Sequence, residues 1–128
     1  MKVLITGATG FVGRAVVGHV HRNGHEVRIL ARQPDSSSAL ELARAHGAEA
    51  VAGDVLEPDA LPPALNGIDA VIHLVGIISE IGRQTFERVH TEGTRHLLVA
   101  ASESGVRRYI QMSALGSRPN AVSRYHRS

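Results

Sequence analysis

Gly7, Gly10 and Gly13 recur at every third position in the stretch Thr6-Gly-Ala-Thr-Gly-Phe-Val-Gly13, directly after the apolar run Val3-Leu4-Ile5. Glycines spaced in this way between a strand and a helix have a specific chemical use. Gly7 permits a tight turn, Gly10 lets the backbone approach a pyrophosphate, and Gly13 lets the helix pack close to the strand. Free backbone N–H groups at the helix start would then face the anion, with Thr9, Gly10, Phe11 and Val12 as cofactor-binding candidates. The spacing departs by one residue from the G-x-G-x-x-G form, and a glycine triplet alone also fits a flexible turn. Its position after an apolar run and before an amphipathic one points to dinucleotide binding.

The elements that must hold this loop can be read from the same chain. Short β-branched apolar runs alternate with amphipathic stretches, which predicts a parallel sheet covered by helices on both faces. Strands are expected at Lys2 to Thr6, Glu26 to Ala31, Ala48 to Ala52, Ala70 to Leu74 and Arg108 to Met112. Each is nearly all apolar, as strands buried on both faces should be. Helices are expected at Phe11 to Asn23, Ser37 to His46, a short one near Asp59 to Leu65, and one long helix from Arg83 to Ser104. Gly24, Gly47 and Gly105 follow three of these as stop signals. Asp35-Ser36-Ser37-Ser38 is read as a loop and helix cap. Right-handed crossovers then give an α/β, Rossmann-type doubly wound sheet of order 3-2-1-4-5, with the ligand crevice between the first and fourth strands.

Composition removes other classes. The chain of 128 residues suits one domain, with 43% apolar and 20% charged residues and no cysteine. Disulfide scaffolds, thiolate metal sites and cysteine nucleophiles are thereby excluded, and a cytoplasmic location is the expectation. No apolar run reaches the roughly 18 residues of a membrane span. The formal charge of +2 is small and the arginines are scattered, which argues against a nucleic-acid partner. His19 and His21 are two apart and His90 and His96 six apart, so neither pair shares a helix face and no metal site is expected. No Walker lysine follows the glycine loop.

Thr6 to Gly13 resembles the short-chain dehydrogenase/reductase superfamily in its extended and atypical branches, the NAD-dependent epimerase/dehydratase-like group. Further matches follow in order at Gly53-Asp54-Val55, His73-Leu74-Val75-Gly76, Glu92-Gly93-Thr94 and Met112-Ser113-Ala114. Val89 to Thr94 and Ser123 to Ser128 look most like the group of the 39-kDa accessory subunit of respiratory complex I. The resemblance implies a nicotinamide cofactor. It places Asp54 and Val55 at the adenine and Val75 and Gly76 beside the phosphates and ribose. A turn-capping role for Asp54 is equally open. Where NAD-binding relatives end the second strand with an acid, this chain has Ala31-Arg32-Gln33. An arginine cannot accept a ribose hydrogen bond, but its fork suits a 2′-phosphate, with Ser36, Ser37 and Ser38 close behind. NADP(H) is therefore expected over NAD(H).

For chemistry, the resemblance implies a serine at Ser113 and a tyrosine at Tyr125. In active relatives a lysine four residues after the tyrosine holds the nicotinamide ribose and lowers the phenol's pKa for proton exchange. Here that place falls just after Ser128, and the substrate lobe lies outside this sequence. Tyr125 is accordingly expected as a disordered tail residue and Ser113 as a loop hydroxyl. His90, at a position where many relatives carry asparagine, reads as a helix-face histidine. Two functions stay open: an NADP(H)-dependent oxidoreductase or epimerase-like enzyme acting on a small molecule, or a non-catalytic dinucleotide-binding protein. In the second case the role is structural or redox-sensing, as in complex I relatives and NmrA-like regulators, with peripheral association with a respiratory complex.

Overall fold

A computed structural model describes residues 1–128. Five parallel strands, β1 (Lys2–Thr6), β2 (Glu26–Ala31), β3 (Glu49–Ala52), β4 (Ala70–His73) and β5 (Arg108–Gln111), form one sheet in the order β3-β2-β1-β4-β5. The order is the one expected from the alternating pattern. Val3 stands between Val27 and Ala70, and Ile5 between Ile29 and Ile72, so β1 is the centre of the sheet. The edge strands correct the expectation of burial on both faces. β3 is at best half-buried, and Ile110 of β5 is 56% exposed, because neither strand has a neighbour on its outer side.

Side chains alternate across the sheet, and each face carries its own core. On one face Val3, Ile5, Val27 and Ile29 pack with Val17 of α1 (Phe11–Arg22) and Ala39 and Leu42 of α2 (Ser37–His46). On the other, Leu4, Leu30 and Val71 meet Leu61 and Leu65 of α3 (Leu61–Leu65) and Leu97 and Ala101 of α4 (Gly93–Glu103). Ser36 caps α2 by accepting from the Ala39 N–H, and Gly47 ends it in the left-handed conformation at φ 63°. Pro58 to Ala60 makes a 3₁₀ turn before α3, whose first turn holds Pro62 and Pro63 where no intrahelical donor is required.

The expected long helix from Arg83 is corrected twice. It begins only at Glu87, and Glu87–Glu92 is a wider π-type turn that runs into α4. Gly93 follows this turn, and a Cβ there would meet Val55 Cγ2 at 2.8 Å. The widened turn and the bare glycine let this helix lie against the β3 exit. The chain ends in a short helix, α5 (Arg124–Arg127). No helix is long and apolar enough to cross a membrane.

Candidate functional site

The strands β1 and β4 leave the sheet in neighbouring positions but toward helices on opposite faces, and a cleft opens at that divide. Its volume is about 680 Å³, and it runs from Arg32, Gln33 and Ser36 past Gly7, Thr9 and Gly10 to Val75, Gly76 and Ile77. Gly53, Asp54 and Val55 line it from the β3 side. A second pocket of about 290 Å³ shares Leu74, Val75 and Gly76 with the first and continues to Ser113, Ser117 and Tyr125. The two form one groove along the C-terminal ends of the strands. Its anion-suited middle separates an end with Arg32 from an end with hydroxyl groups.

The three loop glycines sit there for different physical reasons. Gly7 has φ 70°, and a Cβ on it would lie 2.9 Å from the Leu74 carbonyl carbon. Gly13 is buried, and its Cβ would fall 2.1 Å from the Gly7 carbonyl oxygen. Gly10 has ordinary dihedrals, and a Cβ would meet nothing of the protein closer than 3.4 Å. The protein itself does not require glycine at position 10, which borders the open groove. Gly10 is also the N-cap of α1 with no side-chain cap, and the first intrahelical donor is Arg14 to the Gly10 carbonyl. The N–H groups of Phe11, Val12 and Gly13 have no protein acceptor, which leaves a partial positive charge at the helix start. Phe11 and Val12 can offer only backbone here, since the residues are 96% and 46% exposed and neither lines the groove. The residues fit a pyrophosphate: a cradle free of side chains, with donors and no carboxylate except Asp54.

Asp54 takes the turn-capping role that its sequence allows. Its Oδ1 accepts the Leu56 N–H at 2.9 Å, fixing the turn, and the residue still lines the groove. Val55 is buried, and its carbonyl accepts from His96 Nδ1 at 2.7 Å. Arg32 is exposed at the rim beside Gln33 and Ser36.

At the other end the expectation of a disordered tail is overturned. Tyr125 lies on α5 with its ring 5.7 Å from that of His90 and 6.0 Å from that of Phe86. Arg124 holds this segment through a 2.8 Å ion pair to Glu80, whose other oxygen accepts the Phe86 N–H. Tyr125 and Ser113 therefore line one pocket. His90 is likewise more than a helix-face residue. Its Nε2 accepts the Ile77 N–H at 2.9 Å, so in the neutral ring Nδ1 carries the proton and donates to Ser128 Oγ at 2.6 Å. Ser128 Oγ in turn donates to the Tyr125 carbonyl. Burial holds His90 below the usual histidine range, which keeps Nε2 free to accept. His90 thus ties the β4 exit at Ile77 to the segment bearing Tyr125. Beneath the groove, His73 Nδ1 and Thr6 Oγ1 share a 2.6 Å hydrogen bond, with His73 Nε2 unpartnered and fully buried. Burial, with the neighbouring His90 adding, pushes the His73 pKa down to about 4.

Sequence reasoning missed Ile77 and Gln84, which lie in a loop without periodicity, and Leu30 and Val89, which look like core residues. It also missed the links made by His90, since they join positions 13 and 38 residues apart.

Residues 7–128 match the family described as NAD(P)H-binding. The chain belongs to this family. It is 35% identical to a ceramide reductase of Caulobacter vibrioides over 96% of this chain and 38% of the relative. It is 33% identical to the photosystem II assembly factor Ycf39 of Synechocystis sp., over 90% of this chain and 34% of that one. A solved short-chain dehydrogenase/reductase superfamily protein from Agrobacterium tumefaciens with bound NAD superposes with a TM-score of 0.72 at 35% identity, over 95% of this chain and 36% of that one. The NAD(P)H-binding chain is thus of the short-chain dehydrogenase/reductase type, and it spans less than two fifths of the length of these relatives.

Proposed function

We propose that the protein is an NADP(H)-dependent oxidoreductase or epimerase/dehydratase-like enzyme, and that this chain supplies its cofactor site and part of its chemistry. The observation that carries the reading is the groove itself. Gly10 faces it without any internal reason to be glycine, unpaired amides open α1 beside it, and an arginine stands where an acid would accept ribose hydroxyls. In this reading the first-turn amides of Phe11, Val12 and Gly13 hold the pyrophosphate. Asp54 and Val55 bound the adenine, Val75 and Gly76 pass beside the phosphates and ribose, and Arg32 with Ser36 holds the 2′-phosphate.

When bound, the nicotinamide supplies or accepts a hydride. The chain's own residues handle the proton. Ser113 donates to the substrate oxygen and orients it, and the Tyr125 phenol exchanges a proton with that oxygen. His90, through Ser128, positions the backbone of Tyr125 and holds Ile77 at the mouth of the pocket.

Fluorescence titration with NADPH and NADH tests the cofactor half. The expected result is NADPH binding at least about tenfold more tightly, on the scale of one charge-assisted hydrogen bond. Equal affinities, or a preference for NADH, overturn the assignment of Arg32.

A further inference from the structure

Behind the glycine loop, outside the groove's own lining, lies a cation that the cofactor reading has not used. Arg14 follows Gly13 on α1, and its side chain is 49% exposed. Its Nε donates to the Thr9 carbonyl at 3.2 Å and its Nη2 to Ser38 Oγ at 2.9 Å, while Nη1 faces Glu41 Oε2 at 3.4 Å. Thr9 lines the groove, and so does Ser36, the cap two residues before Ser38. The guanidinium therefore bridges the glycine loop and the first turn of α2, bonded to Thr9, which lines the groove, and to Ser38, two residues after the lining Ser36.

Three of the five guanidinium N–H donors are engaged in these contacts, which leaves one on each Nη. The Glu41 carboxylate is 71% exposed and only loosely placed at 3.4 Å, so it is a weak competitor for the charge. A phosphate dianion at the rim brings more charge and a third acceptor oxygen, and a planar fork already fixed by two hydrogen bonds loses little freedom on meeting it.

We infer that Arg14 is a second reader of the cofactor's adenosine 2′-phosphate and that Glu41 competes for it, an inference that rests on the NADP(H) reading of Arg32. Arg14 then sets specificity from the first turn of α1, and Glu41 sets how strongly it does so.

The test uses adenosine 2′,5′-bisphosphate and AMP, which differ only in the 2′-phosphate, titrated calorimetrically into wild type, Arg14→Gln, Glu41→Gln and Arg32→Gln. The quantity read is the ratio of the two affinities, with thermal midpoints recorded in parallel and titrations run well below them. Arg14→Gln is expected to lower the ratio about 5- to 20-fold and Glu41→Gln to raise it about 2- to 5-fold, both effects shrinking in high salt. An unchanged ratio in Arg14→Gln overturns the inference. If Arg32→Gln collapses the ratio and Arg14→Gln leaves it intact, this inference falls alone. A wild-type ratio near one removes the NADP(H) reading and this inference with it. Should Arg14→Gln not fold, Glu41→Gln decides, and no rise in the ratio then overturns the proposal.

Discussion

Two glycines three residues apart predict opposite phenotypes. Gly13→Ala places a methyl 2.1 Å from the Gly7 carbonyl oxygen and 2.6 Å from Ala8 Cα, both backbone atoms that cannot swing aside. It should destabilise the fold by about 2–3 kcal/mol or more, read as a drop in the urea midpoint. Gly10→Val meets only open groove from an extended backbone at φ −77°. It should unfold within about 1 kcal/mol of wild type, the range of an N-cap change, while losing dinucleotide affinity by at least about a hundredfold. Retained affinity in folded Gly10→Val would remove the loop from the binding site. At the rim, Arg32→Asp should weaken NADP(H) by roughly 1.5–3 kcal/mol and leave NAD(H) nearly unchanged, checked by calorimetry with both. That the loop glycines Gly7 and Gly10, Arg32 and Asp54 would line one groove was legible, because their place at the strand ends follows from residue type and local spacing. His90 was not, because a histidine on a helix has no local signature, and its partners Ile77 and Ser128 are joined to it only by the fold.

At the scale of the element, the five strands and their order followed from alternation and the crossover rule, whereas departures from regularity did not. The π-type turn at Glu87–Glu92 leads into Gly93, where the β3 exit at Val55 leaves no room for a Cβ, a close approach between segments far apart in the chain. Arg28 is the sharper case, a charged residue inside an apolar run that proves buried on β2. Its Nε donates to Glu49 Oε2 at 2.9 Å on β3, and its Nη1 donates to the carbonyls of Ala64 and Asn66 at 2.8 Å each. The Arg28 guanidinium holds the Glu49 carboxyl below the usual carboxylate range, helped by Lys2. One side chain thus fastens the sheet edge to the end of α3. Arg28→Met keeps the volume but leaves two carbonyls without that donor, so it should cost about 2–4 kcal/mol in urea unfolding. Glu49→Gln, at an exposed carboxylate, should cost under about 1 kcal/mol. A smaller loss in Arg28→Met than in Glu49→Gln would show that the carbonyl contacts contribute little.

For the molecule as a whole, the groove lies over a floor that cannot accept charge, and this couples stability to pH. His73 sits where β4 ends, wholly buried, bonded through Nδ1 to Thr6 from the adjacent central strand. The Tyr109 ring lies tilted to it at 6.3 Å, its phenol pushed up to about 12 by burial, so its ionisation plays no part near neutrality. Unfolded histidine titrates near 6.5 while native His73 titrates at about 4. As pH falls below about 6.5 the unfolded chain takes up a proton that the native state refuses. Stability contributed by neutral His73 is therefore full above that value and lost progressively down to about 4, a change on the order of 3 kcal/mol. His90 is shifted in the same direction and adds to the loss, and Glu49, lowered from 4.5, adds a further loss only under more acid conditions. Urea midpoints measured between pH 7.5 and 5 should accordingly fall in the wild type. In His73→Leu the buried side chain cannot titrate, and Thr6 Oγ1 still accepts the Leu74 N–H at 3.3 Å. The pH dependence over that window should flatten, leaving only the smaller slope due to His90. An undiminished slope in folded His73→Leu would place the acid sensitivity elsewhere in the molecule.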